Sequence, residues 1–213
     1  MLNGIRDLLI KHFMRNIRTY FFLFLAFVAG VSAGAFTVNA LSTLQSEELN
    51  NYFIGFLKLF NVQRMDSSEL IKIAVWENIR IILVLWVLGV TIIGIPFIYL
   101  IIGIKGFITG FCSGFIIKVL GLKGIGFLIL TLVPKELIIV PCLIALGVSG
   151  INFSLDIIKS KSIKSISKEN LKTGFLAYCF VTLIFSGMIF AGAFFEAYIS
   201  PVFVRMISSI IAS

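Results

Sequence analysis

Five apolar segments, with a dense cluster of lysines between the fourth and the fifth, limit what this chain can fold into. Hydrophobic residues make up 59% of its 213 residues, and charged residues make up only 13%. A water-soluble domain needs more polar side chains to cover its surface, whereas lipid solvates an apolar exterior. The sequence therefore predicts an all-α polytopic membrane protein that forms a single integral membrane domain.

Each apolar segment is predicted to cross the bilayer, which takes about 20 residues of helix. The predicted limits of the five crossings are residues 20–41, 80–103, 106–122, 123–150 and 174–199. Lys105 is assigned to the turn before the short third crossing. The fourth is predicted to be broken at residues 134–141, since Pro134 and Pro141 interrupt it.

A cleaved signal peptide is the alternative for the first segment, because Val31-Ser32-Ala33 resembles a processing site. The apolar run continues beyond these residues and is long for a signal sequence, whose apolar core has about 7–15 residues. An uncleaved membrane anchor is therefore the favoured interpretation.

Lysines between the fourth and fifth segments predict the orientation in the membrane. They are Lys159, Lys161, Lys164, Lys168 and Lys172. Because cytoplasmic loops carry an excess of basic residues, residues 151–173 and the basic N-terminus are both predicted to be cytoplasmic. The loop of residues 42–79 and the tail of residues 200–213 are then extracytoplasmic. The same rule explains the net charge of +8, so we expect no nucleic-acid partner.

Two amphipathic stretches flank the first segment. In residues 1–18 apolar side chains recur every four positions and basic side chains occupy the other face, which predicts an interfacial helix on an anionic cytoplasmic leaflet. The acid-rich loop of residues 42–79 carries an apolar stripe at helical spacing. Its members are Leu49, Tyr52, Phe53, Phe56, Leu57 and Phe60. This stripe is predicted to lie on membrane lipids or against a partner protein, and the sequence favours neither.

Side chains suited to catalysis or metal binding are few. His12 is the sole histidine, which excludes a zinc site of the HExxH type. Ser149 resembles the serine of an intramembrane protease, but no histidine follows it to act as a base. The three cysteines form no CxxC pair. We therefore expect no enzyme activity, no cofactor and no metal site.

Charged residues in the fourth segment raise two alternatives. Lys135 and Glu136 follow Pro134 near the middle of the predicted crossing, where a lone charge costs about 2.5–3.5 kcal/mol. They are expected to face protein or water, either along a transport path or as a structural kink whose charges pair within the bundle. Neighbouring residues on a helix do not face each other, so an ion pair between these two is not assumed.

Small residues at four-residue spacing predict close helix packing. Gly30 and Gly34 align on the first segment, and Gly106, Gly110 and Gly114 align on the third. Packing within one molecule is favoured, and a homo-oligomer or a contact with a partner's transmembrane helix is the alternative.

Three stretches carry a resemblance to a known family. They are residues 30–41 at the end of the first segment, residues 196–201 after the fifth, and residues 132–137 with Pro141 in the fourth. In these stretches, and over nearly its whole length, the chain resembles stage II sporulation protein M, a five-span membrane protein family of endospore-forming bacteria. The resemblance implies a role in engulfment of the forespore by the mother cell. It also implies two cell-wall-degrading partners, stage II sporulation proteins D and P, and a location on the mother-cell side of the septum.

The leading hypothesis is thus a non-enzymatic scaffold in the cell membrane that anchors peptidoglycan-degrading partners. The candidate docking residues are Leu49, Phe53, Phe56, Phe60, Glu196, Tyr198 and Pro201. The alternative is a transport protein or permease subunit that uses the broken fourth helix. An intramembrane enzyme is the third hypothesis, weakened by the missing histidine.

Overall fold

The computed structural model describes residues 14–62, 67–162 and 168–211, with side chains described for residues 14–55, 71–160 and 171–194. These residues form α-helices and no strand. The helices are α1 (Ile17–Thr37, followed by a 3-10 turn at Val38–Ala40), α2 (Thr43–Val62), α3 (Ser67–Val90), α4 (Gly94–Leu120), α5 (Leu122–Thr131), α6 (Val133–Ser162) and α7 (Lys168–Ile211).

Among the described residues, five helical stretches are long and apolar enough to cross a membrane. They are Ile17–Ala40, Ile71–Val90, Gly94–Leu120, Val133–Ser160 and Leu171–Phe194. The prediction of an all-α polytopic membrane protein is confirmed. The predicted interfacial helix of residues 1–18 falls largely on residues 1–13, which lie outside the described residues, and it stays a prediction.

The turn between the second and third crossings is not at Lys105, where the sequence analysis placed it. Helix α3 ends at Val90 and α4 begins at Gly94. The amides of Thr91 and Gly94 close this turn by donating to the carbonyls of Leu88 (3.0 Å) and Thr91 (3.1 Å). A side chain at Gly94 would collide with the Leu88 carbonyl, so this tight turn requires glycine. Lys105 instead lies well inside α4.

The predicted fourth crossing is divided into the short helix α5 and the long helix α6. Gly121, with φ 59°, makes the turn from α4 into α5. The break between α5 and α6 comes at Leu132, and Pro134 then lies in the first turn of α6. A proline has no amide N–H to donate within a helix, so it is better tolerated in this first turn than further inside. Pro141 lies inside α6 and does not end it, so the break does not extend over residues 134–141 as predicted.

The last helix continues past the predicted end of the fifth crossing. Helix α7 runs without interruption from Lys168 to Ile211, so the backbone of residues 200–211 is helical and continuous with the crossing. Pro201 therefore lies within a helix and does not start a separate segment. The extracytoplasmic placement of this end stays a prediction.

Helix α6 is the axis around which the other crossings pack. In the 18-residue apolar part of its membrane-spanning stretch 78% of the residues are buried, against 17–28% in the corresponding parts of the other four. The main apolar core consists largely of α6 side chains, among them Leu143 and Val148. Side chains from each of the other four crossing helices complete this core: Leu23, Ile82, Leu85, Ile98, Ile102, Phe185 and Ile189. Each of the four outer crossings therefore contributes to a core centred on α6.

Helices α1 and α4 are in direct backbone contact along a line of glycines. A methyl group at Gly30 would collide with the Gly103 carbonyl, and one at Gly110 would collide with the Val31 carbonyl. All five glycines of the predicted packing faces lie at this contact: Gly30, Gly34, Gly106, Gly110 and Gly114. The structure thus places both faces within one molecule, against each other.

Substituting one of these glycines by alanine is expected to destabilise the fold. In Gly110→Ala the new methyl group forces the two backbones apart, because the Val31 carbonyl cannot move as a flexible side chain would. Overpacking of this kind costs about 1–3 kcal/mol. Equilibrium unfolding of the detergent-solubilised protein by SDS measures the loss.

Gly187→Ala is the matched control, since Gly187 is also helical but has no atom near the position of an added methyl group. It should leave the unfolding free energy within about 0.5 kcal/mol of wild type. Equal losses in the two variants would contradict the role assigned to the α1–α4 contact.

Candidate functional site

A lysine and a glutamate on different helices form an ion pair within the membrane-spanning part of the molecule. Lys105 of α4 donates from Nζ to Oε1 of Glu136, at 3.1 Å. The hydroxyl of Thr109, one turn further along α4, lies 3.4 Å from the same carboxylate oxygen and 3.0 Å from the Lys105 carbonyl. We call Lys105, Thr109 and Glu136 the intramembrane polar site.

The break between α5 and α6 gives the carboxylate its position. Glu136 lies in the first turn of α6, where the free amides of a helix favour a negative charge. Its own amide donates to the Leu132 carbonyl at 3.2 Å, so it follows directly on the break. Pro134, which was predicted to interrupt the fourth crossing, lies in the first turn of α6, where a proline is tolerated.

Both charged side chains are largely buried, with exposed fractions of 21% for Lys105 and 12% for Glu136. The ion pair neutralises them, which removes most of the cost of placing each charge in an apolar medium. Glu136 Oε2 is buried and has no hydrogen-bond partner among the described residues. The site therefore joins α4 to α6 and keeps one acceptor available for a further donor such as water.

This pairing supports one of the two alternatives raised by the sequence. Glu136 pairs within the bundle, as expected for a structural kink, and its partner is Lys105 on another helix. Lys105 was not predicted to be part of this site, because it was assigned to a turn between two crossings. The feature that could have indicated its role is a lone charge in an otherwise apolar run, with the hydroxyl of Thr109 four residues later on the same helix face.

A second pair of contacts ties the α3–α4 turn to α6 and α7. The Ser154 hydroxyl donates to the Thr91 carbonyl at 2.7 Å, and the Tyr178 hydroxyl donates to the Trp86 carbonyl at 3.1 Å. The Tyr178 ring stacks on Phe153, with ring centroids 5.1 Å apart. Sequence reasoning missed these residues, since isolated hydroxyls in apolar segments carry no spacing signal. They fix the end of the bundle opposite to α2.

Helix α2 is attached to the bundle by one of the predicted docking residues. The ring of Phe53 packs edge-on against Phe115 of α4 and Phe127 of α5, with ring centroids 6.1 and 6.4 Å away. Phe53 is therefore not available as a free docking side chain, because its apolar surface is used to hold α2 in place. Leu49 is half-buried.

The opposite side of α2 is exposed. Leu44 and Tyr52 have exposed fractions of 75% and 80%, and Glu48 between them is exposed too. These three residues follow each other at four-residue spacing and form one line along the helix, which we call the α2 outer face. Ser42 and Gln45 cap the start of the helix reciprocally, with the Ser42 amide donating to Gln45 Oε1 at 3.1 Å.

The remaining predicted docking residues have side chains outside the described ones. They are Phe56, Phe60, Glu196, Tyr198 and Pro201. Their backbone positions are within α2 and α7. In the described part of the chain, no group of three or more His, Cys, Asp or Glu side chains is placed to hold a metal ion.

The intramembrane polar site is expected to behave as a coupled pair in unfolding experiments. Lys105→Met leaves the Glu136 carboxylate buried without its partner, and Glu136→Gln does the same to the Lys105 ammonium group. Breaking a buried ion pair in this way costs about 3–5 kcal/mol when the remaining group stays ionised. The double variant should lose clearly less than the sum of the two single losses. SDS unfolding of the four proteins measures this coupling, and strictly additive losses would contradict the ion pair.

Comparison with protein families gives one match of nearly full length. The family model described as stage II sporulation protein M matches residues 22–201. No curated protein and no solved structure matches the chain. Because the family model covers most of the chain, the protein belongs to the stage II sporulation protein M family.

Proposed function

We propose that this member of the stage II sporulation protein M family is a non-enzymatic scaffold that holds peptidoglycan-degrading enzymes at the outer face of the membrane during forespore engulfment. Family membership makes it a sporulation-related membrane protein. The partners that the resemblance implies are stage II sporulation proteins D and P, which would supply the hydrolytic chemistry. In this proposal the protein lies in the mother-cell membrane, with α2 and the end of α7 extracytoplasmic.

The observation that carries the proposal is the α2 outer face. Phe53 fixes α2 on the ends of α4 and α5, so the position of Tyr52 is defined by the bundle. A large exposed aromatic side chain on a fixed helix is the kind of group that anchors protein interfaces. Tyr52 therefore combines a largely exposed ring with a position that is fixed by the contact of Phe53 with the bundle.

Charge favours a protein over a lipid surface as the partner of this face. Glu48 lies between Leu44 and Tyr52, and the neighbouring Glu47 is exposed as well. Anionic membranes attract basic segments and repel acidic ones, so a face that combines apolar and acidic side chains suits a protein partner better. The complementary surface on the partner would combine an apolar pocket with basic residues.

The transport alternative has no separate observation in its favour. The ion pair between Lys105 and Glu136 accounts for the acidic side chain of the fourth crossing as a contact between helices. A scaffold also requires the contact between Lys105 and Glu136, because the helices that carry the α2 outer face must be held in fixed positions. We therefore propose the scaffold function alone.

Introducing a charge at Tyr52 is expected to release the partners. Loss of an aromatic interface anchor costs about 2 kcal/mol or more, so Tyr52→Asp should lower recovery of the two hydrolases by roughly tenfold or more. The measurement is a crosslinking pull-down of the tagged chain from sporulating cells, with both partners quantified by immunoblot relative to the chain.

Leu122→Asp provides the matched control. Leu122 is 87% exposed and begins α5, at the same end of the bundle as α2 but away from its outer face. This variant should recover both hydrolases at wild-type yield. Wild-type recovery with Tyr52→Asp would contradict docking on α2, and failure of the wild-type chain to recover either hydrolase would contradict the scaffold function itself.

A further inference from the structure

An apolar groove of about 710 Å³ lies between α1, α6 and α7. One wall is formed by the beginning of α1 and the residues just before it, and the other by residues of α6 and α7 that include Pro141 and Met188. The α1 wall consists of Met14, Ile17, Tyr20, Phe21 and Phe24. Nearly all of the lining is apolar, and the groove belongs to neither the intramembrane polar site nor the α2 outer face.

Most side chains of the α1 wall are exposed, and Tyr20 is partly buried against the main core. Met14 is 66% exposed and Phe21 is 60% exposed. A groove of this kind beside a membrane-spanning helix is filled by lipid or by another protein. Its volume lies within the roughly 300–1,000 Å³ of small-molecule sites. A transmembrane helix, about 10 Å wide and 30 Å long, needs far more space, so the groove suits an acyl chain better.

Two arginines are next to lining residues in the sequence where α1 begins, although neither is itself part of the groove lining. Arg15 follows Met14, and Arg18 follows Ile17 and lies three residues before Phe21. Both side chains are exposed. Asp156 lies with Arg15 in a smaller adjoining cavity of about 170 Å³, but these two described residues form no ion pair within 4 Å. The apolar groove thus has two exposed arginines near its end, one of which shares a cavity with the Asp156 carboxylate.

We propose that this groove binds an anionic phospholipid, with an acyl chain along α1, α6 and α7 and the phosphate at Arg15 and Arg18. A basic site next to an apolar space between transmembrane helices is the arrangement that recognises anionic headgroups. Guanidinium groups bind phosphate oxygens through paired hydrogen bonds, which gives the headgroup a defined position. Lipid binding here would fix the packing of α1 on α6, the central helix.

The test compares binding of two lipids that differ in headgroup charge. The full chain is equilibrated in mixed micelles with equimolar phosphatidylglycerol and phosphatidylcholine, and native mass spectrometry gives the ratio of the two lipid adducts. Each basic residue near an anionic headgroup contributes roughly a fivefold preference. The double variant Arg15→Gln/Arg18→Gln should therefore lower the preference for phosphatidylglycerol by about 25-fold if both arginines contact the phosphate.

The control removes the same charge from the same end of the molecule. Lys159 and Lys172 are exposed and, unlike the two arginines, are not next to any lining residue in the sequence, so Lys159→Gln/Lys172→Gln should keep the preference for phosphatidylglycerol. Met188→Trp narrows the groove without changing the charge, because Met188 lines it and is 44% exposed. This variant should lower the occupancy of phosphatidylglycerol at unchanged melting temperature.

Three results would overturn the proposal. One is an equal preference for the two lipids in the wild-type chain. Another is the same preference in the arginine and lysine double variants. The third is a photo-crosslinker at Ile17 that captures a second copy of the chain or another protein in place of lipid. None of these results bears on recovery of the hydrolases, so the scaffold function is tested separately.

Discussion

Close backbone packing holds this protein together, because lipid tails are as apolar as the helices and supply no hydrophobic force between them. The contact between α1 and α4 depends on glycines whose missing side chains let each backbone lie against the carbonyls of the other. At the end of this contact, Lys118 donates from Nζ to the Val38 carbonyl at 3.0 Å and so satisfies a group at the end of α1. The other crossing helices pack with this pair around α6.

The break before α6 links the packing to the polar chemistry of the molecule. It starts a new helix within the bundle, and the first turn of that helix carries Glu136 toward Lys105 on α4. Either charge without the other would have a high desolvation cost in an apolar medium. As a pair they form a directional contact between α4 and α6, which apolar packing does not provide. At one end of the bundle the rings of Phe115 and Phe127 then hold α2 through Phe53. The proposed docking face thus depends on a chain of contacts through α4 and α5.

The helical structure of single segments could be predicted from the sequence, whereas the contacts between segments could be predicted only in part. Five crossings and the spacing of Gly30 and Gly34 follow from apolar length and helical period. The turn at residues 91–93 did not, because it lies within an apolar run and the next charge after it, Lys105, suggested a turn elsewhere. Phe53 was recognised as part of an apolar stripe, but a stripe does not tell which of its members faces the bundle. Lys105 and Glu136 are 31 positions apart, and nothing in their spacing indicates that they pair.

The α1–α4 contact has a consequence for how the protein is made. Helices α2 and α3 lie between the two partners in the sequence, so a ribosome that synthesises the chain delivers α1 to the membrane well before α4 exists. During this interval the face around Gly30 and Gly34 is in contact with lipid. A polar interface would be costly there, since unpaired polar groups have no partner in hydrocarbon. A glycine face has no such groups, so α1 can remain inserted with its interface open until α4 arrives.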